Sequence, residues 1–302
     1  MNSEARFLEL AKLDRDEARE YLEKLRWPDG PYCPHCKSVN CYQLKPKPDS
    51  KRPVRKGVYK CKKCRKQFTV TVNTIFEGSH IPLNKWLMAV ALMCRSKKGI
   101  SAHQLHRQLD ITYKSAWFMA HRVRYVMNQG PYETKLKGTI EVDETYVGGK
   151  AKGKRGRGAK KKTAVVSLLQ RDGKVRSKTM KRLTAKNLKG YVRQNVDKSA
   201  IIMTDDFKSY NGLGKKFIQH NVIKHSEKEY VRGDVHTNTA EGYFSLLKRG
   251  ITGVYHHVGK EHLPHYSNEF DFRYNMRKVE GGIRTVAAIS CVEGKRLMYR
   301  DS

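Results

Sequence analysis

Three acids and a lysine carry the chemistry this chain can offer. Read as a helix, residues 236–248 (HTNTAEGYFSLLK) place Asn238, Glu241, Ser245 and Lys248 on one face at spacings of three and four. Ala240, Tyr243, Phe244, Leu247 and Ile251 then share the opposite, apolar face. A carboxylate and an ammonium one or two turns apart, on a helix pinned by its other side, can hold a metal ion and a phosphate together. Two further acids end apolar, strand-like runs, in Ile140-Glu141-Val142-Asp143 and Ile201-Ile202-Met203-Thr204-Asp205. Acids from three separate elements are what two-metal phosphoryl transfer requires. The competing reading of the helix is local: Asn238 followed three residues later by Glu241 is also a capping-box pattern, which would make the glutamate a cap and nothing more. The upstream acids and the charge balance favour the metal site.

That balance is strongly positive. In 302 residues, 62 Lys and Arg against 29 Asp and Glu leave a formal charge of +33, far more than solubility needs. The excess fits a polyanionic partner, and nucleic acid suits it better than a membrane surface. The longest apolar run, residues 86–94, is about half the ~20 residues a membrane span needs. The N-terminal Met1-Asn2-Ser3-Glu4-Ala5-Arg6 lacks the basic-then-apolar order of a secretory signal. A cytoplasmic, nucleoid-associated protein is expected, its seven cysteines reduced unless a metal holds them. The length suits two or three domains.

The elements that would position this chemistry come in sequence. Asp14-Arg15-Asp16-Glu17 opens a helix that stops at Trp27-Pro28-Asp29-Gly30. Cys33-Pro34-His35-Cys36 and Cys61-Lys62-Lys63-Cys64 then form two C-x-x-C knuckles, 24 residues apart, the pattern of a zinc ribbon holding Zn²⁺ at Cys33, Cys36, Cys61 and Cys64. A ribbon this small needs the metal to fold. Cys41 is close enough to be an alternative ligand, whereas Cys94 and Cys291 are isolated and read as buried core thiols. Three helices follow over residues 84–128. The first turns Trp86, Leu87, Val90, Ala91 and Cys94 inward; the last two, joined at Asp110-Ile111-Thr112, match a helix-turn-helix, with Lys114, His121, Arg122 and Arg124 as its basic side chains.

From Thr139 the pattern changes to strands at residues 140–147, 163–170 and 174–180, with an Asp172-Gly173 hairpin signal between the last two. An amphipathic helix at 184–196, strands at 200–204 and near 221–225, and long helices after Asn238 complete the run. Three strands, then helix, strand and helix, is the order of a ribonuclease-H-like α/β domain. Between the first two strands, residues 150–162 hold eight basic residues interleaved with glycine and no acid, a loop that a polyanion would order. The expected organisation is an N-terminal helical segment (1–30), a zinc ribbon (31–75), a helix-turn-helix domain (82–130), a ribonuclease-H-like α/β domain (138–280) and a C-terminal segment (281–302).

Asp143 in Val-Asp-Glu-Thr-Tyr-Val-Gly-Gly, Asp205 in Met-Thr-Asp-Asp, and Glu241 in His-Thr-Asn-Thr-Ala-Glu-Gly with Lys248 seven residues on resemble the catalytic motif of DDE transposases. With the ribbon in front, the likeness is to prokaryotic insertion-sequence transposases of the zinc-ribbon subgroup. It runs on through Tyr255-His256-His257 and residues 269–275, nearly the whole chain. The resemblance implies a ribonuclease-H-like fold, divalent metal, and a homo-oligomer on double-stranded DNA. It also implies cleavage at the element's terminal inverted repeats and strand transfer to target DNA.

The physics of the residues agrees. A phosphodiester is a poor electrophile, so charge must be neutralised on both entering and leaving oxygens. Two Mg²⁺ (or Mn²⁺) ions about 3.5–4 Å apart do this and prefer carboxylate oxygens to His or Cys. Asp143, on the central strand, is the candidate to bridge both; Asp205 would hold one ion, Glu241 the other, and Lys248 would contact a phosphate. Alternatives stay open. Glu141 shares a strand face with Asp143, Glu144 is adjacent, and Asp206 follows Asp205 on the opposite face. Some relatives use Asn at the third position, so Asn238, one turn before Glu241, is a possible assisting ligand. His256, His257, His262 and His265 have no acid or Cys at ligand spacing and read as polar-face or DNA-facing residues. The leading reading is a transposase. The alternative is a transposase-derived DNA-binding protein without activity, and a third is a structure-selective nuclease.

Overall fold

The computed structural model describes residues 3–45, 54–128, 134–149 and 162–298. Helices α1 (Ser3–Lys12) and α2 (Arg15–Arg26) precede strands β1 (Cys41–Gln43), β2 (Tyr59–Cys61) and β3 (Gln67–Phe68). Helices α3 (Leu83–Arg95), α4 (Ala102–Leu109) and α5 (Tyr113–Met127) follow. Then come β4 (Thr139–Gly148), β5 (Lys162–Gln170), β6 (Val175–Met180), α6 (Ala185–Asn195), β7 (Ile201–Asp205) and β8 (Gln219–Ile223). Helices α7 (Asn238–Gly250), α8 (Leu263–Asn275) and α9 (Gly281–Ser290) end the described chain. The cationic run at 150–161 lies outside the described residues. No described helix is long and apolar enough to cross a membrane.

The first unit gathers residues 1–96, 100–127 and 279–302, so the C-terminal residues return to the N-terminal part. Asp14 caps α2 reciprocally with Glu17, each side chain accepting the other's backbone N–H at 2.8 Å. At the far end of α2, Trp27 packs edge-on against Tyr59 and Phe68 of the antiparallel β1-β2-β3 sheet, with ring centroids 5.2 and 5.9 Å away. Helix α3 buries Trp86, Leu87, Val90, Ala91 and Cys94 as its spacing predicts. Between α4 and α5, Asp110 adopts a left-handed conformation at φ 47°, which lets the chain turn sharply after Leu109.

Two expectations fail in this unit. His121, Arg122 and Arg124 are not on a DNA-facing surface of α5; all three are buried, and only Lys114 of that set is exposed. Arg122 shows why a cation can sit inside. Its guanidinium donates to the Ile75, Glu77 and Leu297 carbonyls at 2.6, 3.1 and 3.1 Å and lies 4.5 Å from the Phe118 ring centroid. Cys291 is not a core thiol either: it caps the C-terminus of α9 and is exposed, while Cys94 is buried.

The second unit holds residues 97–99 and 128–278 around a mixed five-stranded sheet in the order β6-β5-β4-β7-β8. Strands β4, β5 and β6 form an antiparallel meander; β7 joins β4 in parallel, and β8 joins β7 in parallel. Asp172, at φ 55°, makes the turn between β5 and β6, where Gln170 N–H donates to Lys174 O at 2.9 Å. Both sheet faces are covered, so β5 is buried along most of its length and reads as a continuous apolar run. On one face Ile140, Val142, Val166, Leu168 and Ile202 meet Leu188, Tyr191 and Val192 of α6. On the other, Val147, Val165, Leu169 and Val175 meet Tyr243, Phe244 and Leu247 of α7 and Tyr266 and Phe270 of α8. The α7 face is the one that carries Glu141 and Asp143, since side chains alternate along β4.

Candidate metal centres

The ribbon places Cys33, Cys36, Cys61 and Cys64 with their Sγ atoms within 4.8 Å of one another. The two knuckles interleave, with Cys33 Sγ 3.5 Å from Cys64 Sγ and Cys36 Sγ 3.6 Å from Cys61 Sγ. Those separations suit four thiolates around one tetrahedral ion at Zn–S distances of about 2.3 Å. The Cys64 backbone N–H, then Cys36 and the Lys63 N–H, draw the Cys61 thiol down to about 6 despite its burial, which favours the thiolate a metal needs. Cys41 is the partner of Cys61 across the β1–β2 ladder but stays outside the cluster. Its Sγ faces Ser38 O at 3.3 Å, and burial pushes its thiol up to about 11.

In the second unit the register of parallel strands sets the acids. Strands β4 and β7 pair through Val142 and Thr204, so one further step brings Asp143 beside Asp205 on the same face. Glu241 stands on the exposed side of the first turn of α7. Burial pushes Asp143 up to about 7; the charges of Glu144, Asp205 and Glu241 push the same way, and the Glu144 N–H, donating at 2.7 Å, opposes them. Asp143 thus feels the charges of Glu144, Asp205 and Glu241. Among the described residues, however, only the four thiols bring three or more ligand atoms within 4.8 Å. The donors of Asp143, Asp205 and Glu241 are hard carboxylate oxygens, one of them on a desolvated group, the kind of donor that a divalent cation takes.

The neighbouring acids have other partners. Glu144 points to the α6 side, where it accepts from Tyr210 OH at 2.8 Å. Asp206 points away from Asp205 and accepts from the Ser226 hydroxyl, which holds its carboxyl below the usual range. Lys248, two turns beyond Glu241, is exposed, as is Asn238. His256 and His257 are exposed beyond the end of α7, while His262 and His265 are half-buried.

The capping box, the competing reading of Asn238 and Glu241, does not form. Thr237 is the N-cap and makes no side-chain cap hydrogen bond. The cap comes from Glu141, fully buried on β4, whose Oε2 accepts the Ala240 N–H at 2.9 Å and whose Oε1 accepts the Thr239 hydroxyl at 2.9 Å. Arg171 Nε donates to the same Oε1 at 2.8 Å, and its Nη2 donates to His236 O at 3.1 Å. A second buried acid, Asp271 of α8, accepts the Ser177 N–H at 2.6 Å, the Ser177 hydroxyl at 2.7 Å and the Tyr243 hydroxyl. Ser177 pairs across the ladder with Ser167, the ladder partner of Asp143, and their hydroxyls meet at 2.8 Å. Arg171, Tyr243 and Asp271 carried no sequence signal of this role. Only Glu141 did, as a neighbour of Asp143.

Comparison with known proteins follows the same division. The profile described as an ISXO2-like transposase domain matches residues 135–275, and a transposase zinc-ribbon domain matches residues 13–67. An uncharacterized protein in transposable element ISH50 of Halobacterium salinarum is 30% identical over 283 residues, covering 87% of this chain and 92% of that protein.

Proposed function

The chain belongs to the ISXO2-like transposase family, and from that premise we propose that it binds the ends of an insertion sequence and catalyses metal-dependent DNA cleavage and strand transfer. The observation that carries this reading is the parallel β4–β7 register, which brings Asp143 beside Asp205 with Glu241 within electrostatic reach. The order of meander, crossover helix and parallel strands supports a ribonuclease-H-like fold for the second unit.

Asp143 is the candidate to hold both ions, Asp205 one, and Glu241 the other, with Asn238 as a possible assistant one turn earlier. Bound Mg²⁺ or Mn²⁺ supplies charge neutralisation on the entering and leaving oxygens of an in-line displacement. Lys248, free to reach outward from the same helix face as Glu241, contacts a DNA phosphate and orients the strand. The ribbon holds one Zn²⁺ at Cys33, Cys36, Cys61 and Cys64 in a structural role.

Helices α4 and α5 act as a helix-turn-helix, but DNA meets its exposed edge at Thr112, Tyr113 and Lys114 rather than the buried His121, Arg122 and Arg124. Double-stranded terminal repeats and target DNA are the substrates, engaged by a homo-oligomer. Full-length protein mixed with a labelled duplex carrying the flanking terminal repeat tests the reading. Nicks at the element end with Mg²⁺, none with chelator, and partial loss in Lys248→Ala are expected. Binding without any metal-dependent nick would leave only the DNA-binding alternative.

A further inference from the structure

We propose that Glu141 is a positioning residue that sets the spacing between the strand bearing Asp143 and the helix bearing Glu241, and thereby sets how tightly the site holds metal. The inference rests on the metal-site reading above. Glu141 lies two residues before Asp143 on the same strand face, and Ala240, whose N–H it accepts, directly precedes Glu241. Its carboxylate is therefore a short link between two of the three candidate ligands that does not pass through the metal itself.

The donor set explains why the residue must be an anion. Arg171 Nε, the Thr239 hydroxyl and the Ala240 N–H all donate, and they converge on two oxygens with no solvent access. An amide in that place would turn an NH₂ toward a donor and leave it unmatched. His236 Nδ1 lies 3.3 Å from Oε1, which adds a fourth polar neighbour. The N-cap Thr237 makes no side-chain cap hydrogen bond, so the Glu141 carboxylate takes a first-turn N–H at the positive end of the helix dipole. Arg171 completes the clamp by holding both Glu141 and the His236 carbonyl, where the chain enters α7. An ordinary buried ion pair could be exchanged for apolar groups at little loss. What such an exchange cannot preserve is the fixed start of α7 over β4.

Glu141→Gln and Thr239→Val, made in full-length zinc-loaded protein, test the proposal alongside Asp143→Ala. Amide exchange reads the clamp, binding of Mn²⁺ followed by electron paramagnetic resonance reads the site, and nicking against Mn²⁺ concentration reads the outcome. For Glu141→Gln, exchange in the first turn of α7 should speed up about 5- to 30-fold, the change that loss of one cap brings. Mn²⁺ affinity should fall about 10- to 100-fold, as for other partners that orient metal ligands, with nicking recovered at high Mn²⁺. Thr239→Val keeps the charge and removes one donor, so it should shift both quantities the same way by less; it decides the matter if Glu141→Gln does not fold. Unchanged Mn²⁺ affinity in the folded variants overturns the proposal, as does a loss of protection spread evenly over β4–β8. Nicking by Asp143→Ala would instead overturn the metal-site reading, while the exchange data would still judge the clamp.

Discussion

The ribbon gathers thiols and the sheet gathers acids, yet they do so by opposite means. In the ribbon, two tight knuckles bring four Sγ atoms within 4.8 Å, and each knuckle spans only four residues. In the sheet, Asp143, Asp205 and Glu241 come from two strands and a helix, and their oxygens do not reach that spacing. A closed four-thiolate set leaves no position for substrate and serves folding; an open carboxylate set keeps room for a phosphate. The local site therefore needs its metal to exist. The distributed site needs a rigid frame, which buried acids outside it provide.

Removing zinc should produce the largest effect and break the comparison most plainly. Binding energy at such a site is folding energy, on the order of 10 kcal/mol. Strong chelation, or Cys33→Ser, should therefore erase amide protection in β1–β3 while β4–β8 keep theirs. Loss of protection in both sheets together would show that the two regions are not separately held.

A smaller effect is expected at the frame of the distributed site. Burial pushes Asp271 up to about 6, above the usual carboxylate value near 4, although three hydrogen bonds oppose the shift. The sign follows from linkage. A carboxyl whose folded value is raised favours the folded state below its unfolded value, and that contribution fades as pH rises through the folded one. Stability should thus fall between pH 4 and 6 by an amount on the order of 3 kcal/mol from this group alone. Asp271→Asn should flatten that slope in urea titrations across the range; an unchanged slope would mean Asp271 is ionised throughout.

How legible each region was in the sequence follows the same contrast. The knuckles could be read because all four donors sit at short chain distances. Asp143, within β4, and Asp205, at the end of β7, could be read because each follows an apolar, strand-like run. The cap of α7 could not: its partner Glu141 lies 99 residues from Ala240, and the local Asn238–Glu241 pattern offered a plausible decoy. The basic residues of α5 misled for a related reason. Arg122 is satisfied by carbonyls 47 and 175 residues away, and nothing in its own helix announces them. Local chemistry is written in spacing, whereas long-range satisfaction of buried polar groups appears only once the chain is folded.

The central claim is that Asp143 holds the metal that drives strand cleavage. Its most direct test is Mg²⁺-dependent nicking of a labelled element-end duplex by Asp143→Ala, with DNA binding measured on the same sample and Asp206→Ala as the neighbouring control. The account predicts no nicking above background by Asp143→Ala with binding intact or tighter, since an anion leaves a phosphate-facing site, and near-normal nicking by Asp206→Ala, whose carboxylate faces Ser226 instead. Nicking by Asp143→Ala at the rate of the unaltered protein would contradict it.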